Sequence, residues 1–261
     1  MPIIHELSTY ADERGNSISY QGRQEKGIRV KFTGSNNTVT IDPRARIESL
    51  IVDFDCNNGV LRIGGNDGAP PLRAAIRVGQ DSVVSIGRNV SMTSVCAMSA
   101  TEGAHITIGD DVMFASENQV RADDGHPIFD VRTGLRANPA RSITIGAHVW
   151  LGRAAVVLGG AKIGSGSVIG YGSIVTKSVP NNCIAAGVPA KIVRRDIAWE
   201  RPHLSLVAPF YKPDASTITK SSYWHLTEGP SRARGLGTRQ LLRRVGTRLI
   251  HQLRRVRGSA R

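Results

Sequence analysis

At 261 residues, with a formal net charge of +13 and three cysteines, the chain is long enough for one large domain or one domain with an appendage, and too poor in cysteine for a disulfide scaffold. Aromatics at 5% and 28 glycines fit a thin core with many corners and argue against a bulky globular one. No stretch reaches the roughly 18 apolar residues of a membrane-spanning helix, and the opening MPIIHELSTYADERGN has no apolar run of signal length, so a cytoplasmic protein is expected.

Residues 1–27 carry no repeat. They are expected to cap the open end of a solenoid, whose terminal coil otherwise exposes apolar side chains and unpaired strand edges. From Ile28 onward IRVKFTGSNNTVTID and VLRIG indicate irregular early turns. A beat of six then appears in Ile86, Met92 and Met98, and again in Ile108, Phe114 and Val120. It becomes strict from Ile145 through Leu151, Val157, Ile163, Ile169 and Val175, with glycine following at 146, 152, 164 and 170. Four residues after each aliphatic stand Val149, Ala155, Ala161, Ser167, Ser173 and Val179. A period of six fits neither a helix nor an alternating strand; it predicts a short strand and a corner, repeated, with the aliphatic residue inside and the small ones at tight corners.

The count stops at RADDGHPIFDVRTGLRANPARS, residues 121–142. Flat solenoid walls offer no cleft, and a loop thrown out of the coil can supply one. Cys56, Cys96 and Cys183 show neither pairing logic nor metal spacing and are expected to be small buried thiols in a reducing compartment. Beyond residue 195, AWERPHLSLVAPFYKPD and SSYWHLTEG carry aromatics that can dock along the solenoid or extend a binding site on it. From Gly229 to Arg261 there are ten Arg and no Lys, Asp or Glu, which leaves residues 1–228 nearly neutral. Leu242, Val245, Leu249, Leu253 and Val256 recur at helical spacing among these arginines and predict an amphipathic cationic helix. It can pack on the body, or residues 238–257 can lie on an anionic membrane surface; no aromatics interleave for base stacking, which argues against nucleic acid.

The run ITIGAHVWLGRAAVVLGGAKIGSGSVIGYGSIVTKSVPNNCIAAGVPAKIVRR resembles the hexapeptide-repeat acyltransferases, and with SENQVRADDGHPIFDVRTGLRANPA it is similar to capsular and exopolysaccharide O-acetyltransferases and their galactoside and maltose relatives. The resemblance covers about residues 86–195. It implies an all-β solenoid, a left-handed parallel β-helix, here expected over residues 28–195 with an excursion loop; the Arg-rich helical extension at 196–261 lies beyond the family's usual end. It also implies a homotrimer, with acetyl-CoA as donor bound between subunits and no metal.

On the family's pattern His126 is the general base that deprotonates a sugar hydroxyl attacking the thioester; imidazole suits that task at neutral pH. Asp123, Asp124 and Asp130 lie close enough in sequence to orient it, with Asp124 carried forward. The oxyanion donors fall at the backbone N–H groups of Gly152 and Arg153. Trp150 lies along the pantetheine arm, Arg153, Tyr171, Gly172, Thr176 and Lys177 line the groove, and Lys191 and Arg194, with Arg195 beside them, face the phosphates. Where small-sugar enzymes have an acceptor-contacting Asn, this chain has Val95, preceded by Thr93, so a polysaccharide or lipid-linked glycan is expected as acceptor. Glu117 and Asn118 are acceptor candidates on position alone. Two other classes compete: a zinc enzyme using His105, His126 and His148, whose spacing lacks that pattern, and a non-catalytic trimeric scaffold that binds a polyanion or membrane through the Arg-rich tail.

Overall fold

The computed structural model describes residues 2–23, 27–204 and 215–225, all within the compact unit Met1–Thr227. The predicted cationic helix at 238–257 lies outside the described residues. The chain winds into a prism of three parallel-stranded walls. The first wall stacks Ile28–Phe32, Ile47–Phe54, Leu72–Val78, Cys96–Ala100, Gln119–Arg121, Val156–Leu158 and Ile174–Val175. The second stacks Ser17–Ser19, Thr38–Ile41, Val60–Ile63, Val83–Ile86, His105–Ile108, Ile143–Ile145 and Lys162–Ile163, and the third Ser91–Met92, Met113–Phe114, Trp150–Leu151, Val168–Ile169 and Ile184–Ala186.

The beat of six is the passage from one wall to the next. Ile145, Leu151 and Val157 fall on the second, third and first walls, and Ile163, Ile169 and Val175 lie one coil above them, all at most 2% exposed. The earlier triads Ile86, Met92, Met98 and Ile108, Phe114, Val120 occupy the same three walls and are buried. Each small residue at the next corner, from Val149 to Val179, is buried as well.

The early irregularity has a structural cause. Ala74 pairs with Cys96 and Ala97 with Gln119, a rise of 22 residues per coil, whereas Val156 pairs with Ile174, 18 residues on. The added residues lengthen the first-wall strands, eight residues in Ile47–Phe54, and the corner that follows them, where Asn36, Asn58, Asp81 and Glu102 take positive φ. Asn and Asp tolerate that left-handed geometry better than most side chains. Phe32 and Phe54 stack at 5.2 Å inside these wider coils.

Both ends of the ladder are covered by reversed strands. Ile3–Ile4 runs antiparallel on Ile28–Phe32, and Tyr10–Ala11 antiparallel on Ser17–Ser19. At the other end Lys191–Arg194 folds back on Ile184–Ala186. A reversed, short edge strand blunts edge-to-edge association. The described segments past residue 195 lie against the corner between the second and third walls, so their aromatics do dock on the prism. Of the three cysteines, Cys96 and Cys183 are buried, and burial pushes the Cys96 thiol up to about 12. Cys56 departs from expectation: it sits half-exposed at a corner, where the wider early coil does not enclose it.

Because the core is one side chain deep, Phe114 has neighbours on all sides and no second layer to collapse onto. Phe114→Ala is expected to cost about 3–5 kcal/mol, read as a lowered denaturation midpoint in urea.

Candidate active site

The excursion loop leaves the first wall after Gln119–Arg121 and rejoins at the second with Ile143–Ile145; Gln119 pairs with Val156, 37 residues on. Its ends are tied at the corner between those walls. Arg141 donates its amide to the Ala122 carbonyl (2.9 Å), Glu102 Oε2 accepts the Ala140 amide (3.1 Å), and Glu102 Oε1 meets Arg136 Nη1 at 2.8 Å. The tip is a tight hairpin in which Phe129 bridges Arg136 and Ala137 donates to the Ile128 carbonyl (2.7 Å). Ile128, Phe129, Val131 and Leu135 are exposed on it.

Asn138 clasps the loop. Its Oδ1 accepts the Ile128 amide (2.7 Å), and its Nδ2 donates to Asp124 Oδ2 (2.8 Å) and to the His126 carbonyl (2.9 Å). The His126 backbone is thereby held while its exposed imidazole makes no hydrogen bond among the described residues.

The three loop carboxylates have distinct employment. Asp123 is buried, accepts Ser99 Oγ (2.6 Å) and the Gly125 amide (3.0 Å), and lies 3.7 Å from Arg77. Asp130 accepts the Thr133 and Arg132 amides, which hold its carboxyl below the usual range and cap the hairpin turn. Asp124 accepts Asn138 Nδ2 on one oxygen, and the same Nδ2 reaches the His126 carbonyl, so Asn138 ties this carboxylate to the backbone of His126.

A second group lies along the third wall and at its corner with the first. Trp150 opens the strand Trp150–Leu151 and is 38% exposed, while Leu151 is buried beneath it. Arg153 Nη2 donates to Glu117 Oε1 (2.6 Å), and its guanidinium stands 6.0 Å from the Tyr171 ring, itself 70% exposed. Gly172, at φ 63°, donates its amide to the Arg153 carbonyl (2.9 Å). Val95 and Thr93 are exposed on the same corner, one coil before Glu117 and two before Arg153.

Two sequence expectations need correction there. The Gly152 amide donates to the Ile169 carbonyl (2.7 Å) as a rung of the ladder, so it is not free for an oxyanion; among the described residues the Arg153 amide remains unpaired. Gly152 instead answers to space, since a Cβ there would stand 2.8 Å from the Ile169 oxygen. Asn118 does not face an acceptor. It is 1% exposed and its Nδ2 donates inward to the Gly152 and Ala155 carbonyls (2.7 and 3.2 Å), securing the corner above it.

Lys191 and Arg194 are exposed on the strand that closes the third wall, with Arg195 beside them. Thr176 and Lys177 are exposed where the last coil leaves the first wall. No hydrogen bond or ring contact among the described residues joins the His126 group to the Trp150 and Arg153 group. Of the other histidines, His105 is exposed on the second wall. His148 is buried at the corner between the second and third walls, at φ 52°.

Sequence reasoning missed the cluster around His148. Its Nδ1 lies 2.5 Å from Asp111 Oδ2 and its Nε2 2.9 Å from the Trp199 carbonyl oxygen. Both ring nitrogens thus face an oxygen acceptor. Trp199 stacks on one face of the imidazole at 4.1 Å and Tyr223 on the other at 4.5 Å. Arg201 donates to Asp111 Oδ1 (2.6 Å), Ser91 Oγ (2.8 Å) and the carbonyls of Asn89 and Asp111. Burial pushes the Asp111 carboxyl up, but the His148 hydrogen bond and the Arg201 charge outweigh it and hold it below the ordinary value. The missed signal was a column of corner residues, Asn89, Asp111, Gly166 and Asn182, all suited to positive φ, with His148 standing among them.

A three-walled β-helix of six-residue turns, interrupted by one histidine-bearing loop and carrying exposed aromatic and basic groups on its outer corners, defines a hexapeptide-repeat transferase. A family model described as bacterial transferase hexapeptide (six repeats) matches residues 142–177. The polysialic acid O-acetyltransferase of Neisseria meningitidis is 34% identical over 174 residues, covering 66% of this chain and 80% of that one. The polysialic acid O-acetyltransferase of Escherichia coli O1:K1 / APEC is 42% identical over 130 residues, 50% of this chain but only 42% of the relative's length. The crystal structure of the polySia specific acetyltransferase NeuO superposes with a TM-score of 0.63 at 36% identity, over 72% of this chain and 90% of that one. The chain belongs to the left-handed β-helix, hexapeptide-repeat O-acetyltransferase family.

The Arg136 hydrogen bond, with that of the Ala140 amide, holds the Glu102 carboxyl below its ordinary range. A depressed folded-state pKa stabilises the loop anchor fully above the ordinary glutamate value and loses that contribution as pH falls through the depressed one. Exchange protection of the Ala140 amide, corrected for intrinsic rates, is therefore expected to decline below about pH 4.5, the unshifted glutamate value. Glu102→Gln should show reduced protection already at neutral pH.

Proposed function

We propose that the protein transfers an acetyl group from acetyl-CoA to a hydroxyl of a sugar in a polysaccharide or lipid-linked glycan, with His126 as general base, in a homotrimer whose active sites lie between subunits. One observation carries this assignment: the base and the donor-facing residues occupy different corners of one prism. The loop that bears His126 is tied between the first and second walls, and Trp150, Arg153 and Tyr171 sit at or beside the third wall's far corner. Two chains side by side bring one chain's loop to the other's corner. The exposed apolar hairpin tip, with Val131 97% exposed, is the surface such a contact would cover.

The outer face fits the donor chemically. An exposed indole at Trp150 offers an apolar surface to the thioester's arm, and Lys191 and Arg194 place cations at the end of the same wall for its phosphates. Thr176 and Lys177 line the groove further along the last coil. In the reaction His126 takes the acceptor hydroxyl's proton as that oxygen attacks the thioester carbonyl carbon. The Arg153 amide is the remaining backbone donor for the developing oxyanion. The intermediate collapses, the C–S bond breaks, and the imidazolium returns its proton to the thiolate, giving the ester and free thiol without an acyl-enzyme. Asp124, tied through Asn138 to the His126 backbone, is the carboxylate assigned to steady the imidazolium. A sugar-polymer acceptor is supported by the relatives, which are named for polysialic acid, and by Val95 at the small-sugar position. Glu117 remains the acceptor candidate of the pair proposed on position.

Among the described residues no helix is long and apolar enough to cross a membrane. The Arg-rich segment 238–257 nonetheless fits an anionic lipid surface by composition, and full-length protein should float with anionic vesicles better than a chain ending at Gly229.

With acetyl-CoA and a panel of glycans, His126→Ala is expected to lower thiol release by about two to four powers of ten while acetyl-CoA binding persists. Mixing unfolded His126→Ala and Trp150→Ala chains and refolding them together should recover roughly a quarter of wild-type activity, since random trimers restore that share of intact interfaces. No recovery would place both groups in one chain's site.

A further inference from the structure

We propose that Trp199 is a positioning residue for Trp150, so that the segment following the repeat braces one side of the acyl-donor groove. This rests on the assignment of Trp150 to the donor's arm.

Trp150 needs a brace. It stands on a two-residue strand whose other member, Leu151, is the buried one, so the indole lies outside the core, 38% exposed, with Met113 and Val168 as its neighbours along the ladder. Trp199 supplies the contact, its ring centred 6.0 Å away and inclined by 45°, within the range where aromatic pairs attract beyond their buried area.

Trp199 is itself fixed from several directions. It is 8% exposed, lies against the His148 ring at 4.1 Å, donates its Nε1 hydrogen to the His148 carbonyl (2.9 Å), and offers its own carbonyl to His148 Nε2. Two residues on, Arg201 is bound to Asn89, Ser91 and Asp111 on two coils of the corner. Asn182 Nδ2 reaches the carbonyls of Ile197 and Tyr223 (2.9 and 2.8 Å), tying both described parts of the segment to the last coil. A side chain this constrained can hold its neighbour's orientation before the donor arrives, which lowers the ordering cost of binding. Its effect therefore falls on donor affinity.

The test is calorimetric titration of full-length protein with acetyl-CoA, comparing wild type, Trp199→Ala, Trp199→Phe, Trp150→Ala and the double alanine variant. Trp199→Leu is included because it keeps buried apolar volume without a ring, and circular dichroism verifies folding. Trp199→Ala and Trp199→Leu are expected to weaken acetyl-CoA roughly three- to tenfold, and Trp199→Phe to restore most of the loss. In the Trp150→Ala background the Trp199 change should add less than about twofold, because the two act through one contact. If Trp199→Leu binds acetyl-CoA like wild type while Trp150→Ala is weakened, or if the two losses multiply independently, Trp199 does not position Trp150. If Trp150→Ala also binds normally, the donor-arm assignment fails and the brace with it. Absence of acetyl-CoA binding by wild type would instead overturn the acyltransferase proposal itself.

Discussion

The structure depends on a core one side chain across, closed by hydrogen bonds from each coil to the next. In each hexapeptide one aliphatic residue points inward, so Val120, Val157 and Val175 stack as a single column on the first wall, 0–1% exposed. A slip of one residue would turn every such column outward. Corners must be equally tight, and a Cβ at Gly152 would collide with the carbonyl of the coil above. Polar side chains in this interior reach to neighbouring coils: Asn118 gives its amide to Gly152 and Ala155, and Asn37 accepts the Gly59 amide at 2.7 Å.

Such a scaffold is rigid and leaves its interior no room for chemistry. Function has to sit on corners, outer faces and whatever the chain throws out of the coil. The excursion loop answers that need, and its cost is contained by a few side chains: Asn138 holds the backbone around His126, while Glu102 joins Arg136 and Ala140 to the corner. The imidazole is left exposed on a fixed main chain. The proposed base and the residues proposed to face the donor lie at different corners of the same prism, which is the ground for proposing that a second chain completes the site.

The extension past the repeat follows the same logic from the other side. A solenoid corner is a column of near-identical positions, and one departure from the pattern makes it addressable. His148 occupies a position filled elsewhere by Asn, Asp or Gly, and its ring is held between Trp199 and Tyr223 with Asp111 and Arg201 around it. The scarce aromatics of the chain are thus spent largely at the wide first coils and at this single attachment, which links the extension to Trp150.

The repeat and the loop were legible because periodicity is local: a spacing of six between Ile145 and Val175 declares a coil of short strands and corners without any knowledge of contacts, while its parallel β-helical form came through resemblance. The 22-residue coils were legible only as irregularity, since their added residues sit in longer strands and corners that carry no repeat of their own. The assignment of His126 as base, of Trp150 to the donor's arm and of Lys191 and Arg194 to its phosphates came through resemblance, and the structure shows all four side chains exposed. Only the tertiary structure could tell the loop's carboxylates apart, because Asp123, Asp124 and Asp130 differ in partners drawn from other coils or from the hairpin turn. It alone turned Asn118 inward, spent the Gly152 amide in the ladder, and joined His148 to Trp199 and Arg201 across a separation in sequence that no local pattern spans.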